Sequence, residues 1–246
     1  MNPNQFNTTQ GENVEHLLAN SMRDFPNAWG DMFAKLGYTN AIVKNVARTG
    51  GAKRKADVQI DFNSNHASIG VSVKSFTGPI HNRASNQIER RLLSAFCQRN
   101  KINTKDESFL EAAILRKANG KKTAPFILPN EQQRVRGIFA PLNPAASALV
   151  GDDHPQVFAI YHIDQSRWHL YDMANQVTPL CRGKVNFSTR GNITIGDYVL
   201  IQRKAGDKSD RYNVLTDIRH PANSLQVKMR VPLFFAKEKP VAYFEI

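Results

Sequence analysis

The most informative pattern in this 246-residue chain is a pair of short segments in which apolar and polar residues alternate. In the segment 56–62 the apolar residues face one way, while Asp57 and Asp61 face the other. The segment 69–74 alternates in the same manner and leaves Lys74 on its polar face. A polar stretch of six residues joins the two segments. The pattern therefore predicts a β-hairpin whose apolar face packs on helices and whose other face carries charge.

Helical spacing of apolar residues predicts helices around this hairpin, and apolar runs predict further strands toward the C-terminus. The predicted helices span 12–23, 29–36, 86–100, 107–118, 131–139 and 144–150. The other predicted strands span 41–47, 157–163, 168–171, 193–202 and 225–231. This order predicts an α/β fold with a mixed central sheet flanked by helices and a strand-rich C-terminal part.

The length allows one large domain or two small ones, and no linker or repeat divides the chain. We therefore expect a single domain over 1–246, with a core in about 1–120 and a lobe in about 121–246 that completes the sheet. No apolar run is long enough to span a membrane, and the polar N-terminus does not resemble a signal peptide. Two distant cysteines, Cys97 and Cys181, predict reduced thiols. We expect a cytoplasmic protein.

The charge balance indicates a polyanionic partner. The chain has 33 Lys and Arg against 21 Asp and Glu, a formal net charge of +12. The segment 182–230 holds ten of these cations and only four acidic residues, so it carries half of the net charge. Such an excess favours nucleic acid first and an acidic membrane surface second.

The polar face of the predicted hairpin can support metal-assisted phosphodiester hydrolysis. Asp57 would bind a magnesium ion, Ser72 occupies the middle position, and Lys74 would lie beside the attacking water. An ordinary exposed cross-strand pair, worth about 0.2–1 kcal/mol, is the alternative. Asp61 lies on the same face and is either a rival ligand or a solvated strand end. The spacing of the histidines, by contrast, matches no zinc site; these are His154, His162 and His169.

Several stretches of the chain resemble the motifs of a known enzyme family. The run Lys55-Ala56-Asp57-Val58-Gln59-Ile60 and the run Val71-Ser72-Val73-Lys74 resemble the catalytic hairpin of type II restriction endonucleases of the PD-(D/E)XK superfamily. The closer match is to the MspI type and its GCGC-cutting relatives. Further matches to that family, in the same order along the chain, are Ser85-Asn86-Gln87-Ile88-Glu89, Ile201-Gln202-Arg203-Lys204-Ala205-Gly206-Asp207 and Ala222-Asn223-Ser224-Leu225-Gln226-Val227-Lys228.

The resemblance implies roles for the hairpin residues and for the N-terminal helix. It implies that Asp57 and Glu12 bind Mg²⁺ and that Lys74 acts near the attacking water. Glu15, one helical turn away, can serve in place of Glu12, and either glutamate can equally be an exposed carboxylate near a helix N-terminus. Those enzymes carry an amide residue at the middle position, where this chain has Ser72.

The resemblance also implies a set of base-contacting residues. Amide side chains suit adenine edges and, for glutamine, cytosine or guanine edges, while Arg and Lys suit guanine. For Arg203 and Lys204 sequence-independent phosphate contact is the alternative, and for Asn86 it is capping of a following helix. The implied DNA-binding residues are Asn86, Gln87, Gln202, Arg203, Lys204, Gln226 and Lys228.

The function implied is that of a type II restriction endonuclease. Such an enzyme uses Mg²⁺ to hydrolyse double-stranded DNA at a short, G·C-rich, four-base site and leaves 5′-phosphate ends. The implied setting is a prokaryotic cytoplasm, a monomer or homodimer, and a cognate DNA methyltransferase as functional partner. Two alternatives remain open: a structure-specific repair or junction nuclease, and a non-catalytic DNA-binding module.

Overall fold

The computed structural model describes residues 3–49, 56–63, 66–78, 85–121, 123–151, 153–204 and 216–245, with side chains from Asn13 onward. The helices are α1 Pro3–Asp24, α2 Pro26–Lys35, α3 Leu93–Asn100, α4 Thr104–Asn119, α5 Gln132–Phe139, α6 Pro144–Val150, α7 Thr178–Leu180 and α8 Val231–Lys237. The strands are β1 Val43–Arg48, β2 Val58–Phe62, β3 Ile69–Phe76, β4 Asn86–Arg91, β5 Val157–His162, β6 Arg167–Asp172, β7 Val185–Phe187, β8 Ile193–Ile195, β9 Val199–Arg203, β10 Leu225–Met229 and β11 Ala242–Glu245. No helix among the described residues is long and apolar enough to cross a membrane.

These elements form two compact units that interleave along the chain. The first comprises residues 1–84, 149–179 and 231–246, and the second comprises 85–148 and 180–230. The units do not coincide with the predicted parts of about 1–120 and 121–246, because N-terminal and C-terminal segments contribute strands to the same sheet. That the chain acts as one domain stays a prediction.

The first unit contains a six-stranded mixed sheet in the order β1-β2-β3-β5-β6-β11. The strand β3 runs parallel to β5, and the other neighbours are antiparallel. The helix α1 packs on β1 and β3 through buried Val14, Leu18 and Met22. Trp29 of α2 is fully buried, contacts the Trp168 ring edge-on and donates from Nε1 to Ser21 Oγ at 3.0 Å. The predicted α/β class, with a mixed sheet flanked by helices, is confirmed.

The predicted hairpin is also confirmed. β2 and β3 pair antiparallel, with Val58 opposite Val71 and Ile60 opposite Ile69. All four of these side chains are buried, as the alternation of apolar residues requires. The polar face of the hairpin is therefore left for the residues between them.

The second unit contains a five-stranded antiparallel sheet in the order β4-β10-β9-β8-β7. Buried residues alternate along β9 and β10, where Val199, Ile201, Leu225 and Val227 face the core. The intervening residues are half-buried and form the opposite face. Its strands β7 to β10 belong to the strand-rich C-terminal part that the sequence predicts, whereas β5, β6 and β11 of that part join the first sheet.

The predicted helix over 86–100 is wrong in its first half. Residues Asn86–Arg91 form the strand β4, and only Leu93–Asn100 are helical. β4 pairs with β10, which lies more than 130 residues away along the chain, and this non-local pairing overrides the local helical spacing. Asn86 therefore begins a strand and does not cap a helix.

The single strand predicted over 193–202 is in fact two strands, joined by a turn at Gly196, whose φ is 54°.

Candidate functional site

Asp57 lies immediately before β2, and the main chain of β3 holds its carboxylate. Its backbone N–H donates to the Val71 carbonyl at 2.8 Å. Its Oδ2 accepts a hydrogen bond from the Val73 backbone N–H at 2.6 Å. Lys74 Nζ lies 3.7 Å from the same Oδ2, with side chains 21% and 18% exposed. The structure therefore brings Asp57 and Lys74 together on one side of the hairpin; their roles stay predictions.

Close packing fixes the chain around Asp57. The carboxylate of Asp153 accepts a hydrogen bond from the Ala56 backbone N–H at 2.8 Å. Opposite it, a Cβ on Gly70 would lie 2.8 Å from Ala56 Cβ and 3.2 Å from Pro155 Cα. Only glycine fits there, so the strand β3 can approach the segment that carries Asp57. The position of the carboxylate is thus set by backbone contacts on both sides.

Ser72, the middle residue of the motif, lies on β3 two residues before Lys74. It is buried, and its Oγ lies 3.5 Å from Asp57 Oδ2. The Lys74 ammonium also donates to the Val73 carbonyl at 2.7 Å, which orients it along the strand. Because a serine hydroxyl is neutral, the hairpin supplies one carboxylate at this point.

Glu15 of α1 supplies a second carboxylate near this pair. Burial is the main cause that raises its pKa, and the charge of Asp57 raises it further. The hydrogen bond from Arg48 and the charge of Lys74 act in the opposite direction, and Arg48 Nη2 lies 2.9 Å from Glu15 Oε2. Glu15 is therefore within electrostatic reach of both hairpin residues. The side chain of Glu12 lies outside the described residues.

Asp61, the rival ligand, has partners of its own. It accepts hydrogen bonds from Ser68 Oγ at 2.5 Å and from Asn45 Nδ2 at 3.1 Å. These bonds lower its pKa, Ser68 most strongly. Asp61 thus stabilises the far end of the hairpin.

Two carboxylates are enough for a magnesium site in which the protein supplies only one or two of the ligands. Among the described residues, no group of three or more His, Cys, Asp or Glu side chains is placed to hold a metal. Mg²⁺ binds through one or two carboxylates and completes its shell with water and phosphate oxygens. Asp57 and Glu15 are carboxylates that act on each other through their charges, and a cation held between such groups would relieve their repulsion. That His154, His162 and His169 form no zinc site stays a prediction.

A second polar surface lies on the sheet of the other unit, where four amide side chains form a hydrogen-bonded chain across the strands. Asn192 Nδ2 donates to Gln202 Oε1 at 3.4 Å. Gln202 Nε2 donates to Gln226 Oε1 at 3.0 Å, and Gln226 Nε2 donates to Gln87 Oε1 at 2.5 Å. We call these four residues the amide row.

Two cations accompany the amide row on its face of the sheet. Lys228 lies opposite Gln87, and exposed Arg90 lies opposite Gln226. Lys228 is half-buried, and burial lowers its pKa. The face therefore presents both neutral amides and positively charged donors.

The remaining recognition candidates lie elsewhere. Arg203 is paired with buried Leu225 and so faces away from Gln202; its Nε donates to Asn223 Oδ1 at 2.8 Å, and burial lowers its pKa. Asn86 is paired with buried Met229 and faces away from Gln87. The structure thus separates neighbouring residues that the sequence grouped together. Lys204 follows β9, where its backbone N–H donates to the Ser224 carbonyl.

Two parts of the quoted motifs lie outside the described residues, namely Lys55 and the stretch Ala205–Asp207. Asn192, in contrast, is described and was missed by the sequence analysis. Its place becomes visible only from the register of β8 and β9. Ile193 pairs with Ile201, so the preceding Asn192 lies across from Gln202.

Comparison with known proteins supports the fold. No protein-family model matches the chain, and no curated protein sequence matches it. The crystal structure of the restriction endonuclease MspI in complex with its cognate DNA is similar, with a TM-score of 0.52 at 13% sequence identity. The likeness covers 93% of this chain and 93% of that chain. The chain therefore has a restriction-endonuclease-like fold.

Proposed function

We propose that this protein is a type II restriction endonuclease of the PD-(D/E)XK superfamily, of the MspI type, which cuts double-stranded DNA with Mg²⁺. The observation that carries the proposal is the Asp57 carboxylate, fixed by the Val73 N–H and 3.7 Å from Lys74 Nζ. It lies on the hairpin of a fold shared with a DNA-cutting enzyme. Charge complementarity agrees, since the chain carries a net +12.

The acidic residues provide the place for the metal ion. Asp57 and Glu15, or Glu12 in place of Glu15, would hold Mg²⁺ through carboxylate oxygens. When bound there, the ion would make a water more acidic and offset negative charge on the phosphate. Ser72 contributes a hydroxyl that can hold a water molecule but brings no charge.

Lys74 provides the positive charge on the other side of the reacting group. Its ammonium, held by the Val73 carbonyl, orients the attacking water and stabilises the added negative charge of the five-coordinate phosphorus. Water adds to phosphorus, and the bond to the 3′-oxygen breaks. The products are a 5′-phosphate and a 3′-hydroxyl end.

The amide row and its two cations provide sequence recognition. Gln226 and Lys228 contact base edges in the major groove, with Gln87 and Gln202 beside them. Lys228 and Arg90 contribute only donors, and guanine is the base whose major-groove edge offers two acceptors. This composition supports a short G·C-rich site, which the resemblance puts at four base pairs. Arg203 and Lys204 then contact phosphates.

The proposal includes a cellular setting. A sequence-specific nuclease in a prokaryotic cytoplasm needs a cognate DNA methyltransferase to protect the host DNA, without any stable complex between the two proteins. The enzyme itself acts as a monomer or a homodimer.

A plasmid digest tests this function directly. The purified protein with Mg²⁺ should convert plasmid DNA into discrete bands, and sequencing of the ends should return one short site with 5′-phosphates. Cleavage only of branched or nicked substrates would instead indicate a junction or repair nuclease. Binding without cleavage in Mg²⁺ would leave a DNA-binding module.

A further inference from the structure

The amide row has a direction, because each of its first three amides donates to the next side chain toward β4. Starting from Asn192, each nitrogen donates to the oxygen of the next side chain, through Gln202 and Gln226 to Gln87. An amide that accepts through oxygen on one side and donates through nitrogen on the other cannot be turned over alone. Rotating one amide by 180° would place two oxygens or two N–H groups against each other.

Asn192 is the first donor of the row, and its backbone is held firmly. Its N–H donates to Ser188 Oγ at 3.1 Å, and the Ser188 N–H donates back to the Asn192 carbonyl at 3.0 Å. The preceding Gly191 has a φ of 67°, and a Cβ there would lie 2.5 Å from the Ile127 carbonyl oxygen. The turn is therefore packed against its surroundings in a way that fixes where Asn192 stands.

We propose that Asn192 is a positioning residue for specificity: it sets the direction of the amide row and thereby which donors and acceptors Gln202 and Gln226 offer to base edges. This inference rests on the proposed function. Gln202 and Gln226 each retain one N–H and one oxygen lone pair after their bonds within the row are made. Reversal of the row exchanges the places of these groups at every step. A base edge that matched the original order then meets like groups.

The variant Asn192→Asp reverses the row with little change of shape. A carboxylate has no donor at neutral pH, so it can only accept from Gln202 Nε2, and Gln202 and Gln226 must turn over in sequence. The matched control is Asn186→Asp. Asn186 is exposed on β7 and lies opposite Thr194, so it is on the same face of the sheet as the amide row. Its substitution by Asp adds the same negative charge.

The first measurement is competition binding to duplexes that differ at single base pairs of the wild-type cutting site. Asn192→Asp should change the ratio of affinities at one or more positions by about tenfold or more, while Asn186→Asp lowers affinity for all duplexes alike. Asn192→Ala, which only removes the first donor, should reduce discrimination less. Equal discrimination in Asn192→Asp and Asn186→Asp would overturn the inference.

The second measurement uses the free protein and separates this inference from the proposed function. The side-chain ¹⁵N–¹H₂ signals of Gln202 and Gln226 should move in Asn192→Asp and stay in place in Asn186→Asp. Unmoved signals in Asn192→Asp would overturn the inference even if the wild type cuts DNA. A wild type that neither cuts nor discriminates would overturn the proposed function, and with it the role of the row in specificity.

Discussion

The hairpin and the amide row use the same kind of surface, the polar face of antiparallel strands, in different ways. At the hairpin the polar groups are ions, and main-chain groups hold them: the Val73 N–H holds Asp57, and the Val73 carbonyl holds Lys74. In the amide row the groups are neutral, and side chains hold one another. Ions suit a phosphate, whose charge changes during hydrolysis. Neutral amides suit bases, which differ in the order of donors and acceptors.

This difference implies that the two surfaces fail in different ways. The main chain still holds Asp57 when Lys74 is replaced, so a change at the hairpin should alter chemistry without altering sequence preference. A change in the amide row should alter preference and leave the chemical step intact on the preferred site. The expected effects below run from the largest to the smallest.

Replacement of Asp57 should have the largest effect. Asp57→Asn keeps the size and the bond from the Val73 N–H but removes the charge that, in our proposal, would hold the metal. The cleavage rate on plasmid DNA should fall by roughly 10³-fold or more. Asp61→Asn, four residues farther along the chain in β2 and bonded to Ser68, is the matched control and should cut at the wild-type rate. Equal rates in the two variants would remove Asp57 from the chemistry.

Lys74→Met should follow. It keeps the apolar stem but removes the ammonium beside Asp57, so single-turnover cleavage should slow by about 10²-fold or more. Lys44→Met, at an exposed position of β1, has the same charge change. If both variants lose the same modest activity, the loss reflects general attraction to DNA and not a role at the phosphate.

Gln226→Ala tests the amide row. It removes the middle of the row, and discrimination at one base position should fall by about 1–3 kcal/mol in competition binding. Lys228→Ala should act with a similar size at a neighbouring position. A uniform loss over all sequences would show that these side chains contact phosphates.

Glu15→Gln should raise the Mg²⁺ concentration for half-maximal cleavage by about tenfold, because it removes the second carboxylate. Arg48→Gln breaks the same ion pair but leaves that carboxylate in place. An equal shift in both variants would mean that Glu15 acts only through Arg48, and an unshifted Glu15→Gln would favour Glu12 as the ligand.

The smallest effect concerns stability and lies outside both surfaces. Burial, together with the charge of Arg167, lowers the pKa of His169 to about 4, and its ring stacks on Phe235. Between pH 6.5 and pH 4 the unfolded chain binds a proton at His169 that the folded chain does not, so stability falls as the pH falls. Because the ring is partly exposed, the loss is about 1 kcal/mol. Denaturant unfolding at pH 7 and pH 4.5 should show that His169→Gln lacks this loss; equal losses in both proteins would contradict it.

The sequence predicted the elements whose signals are local. Strict alternation identified the hairpin and put Asp57 and Lys74 on one face, because period two fixes the side of each residue. The prediction from helical spacing was wrong for Asn86–Arg91, which form a strand paired with β10. Buried Glu89 there is neutralised by Arg91 and Arg99, which no local pattern reveals.

The amide row could not be predicted from the sequence, because it too depends on the pairing of distant strands. Gln202 and Gln226 were singled out from motifs, but their bond depends on the register between β9 and β10. Asn192 stands in a turn, where an asparagine is ordinary. Only the pairing of distant strands gives these amides a common direction.

Our central proposal is that the hairpin hydrolyses the DNA backbone and that the amide row recognises the base sequence. The most direct measurement is the binding of Asp57→Asn, in Mg²⁺, to a duplex with the wild-type cutting site and to the same duplex with that site scrambled. We expect cleavage at least about 10³-fold slower than that of the wild type and a preference for the intact site of about 10³-fold or more. Cleavage by this variant at the wild-type rate, or binding that no longer distinguishes the two duplexes, would contradict the account.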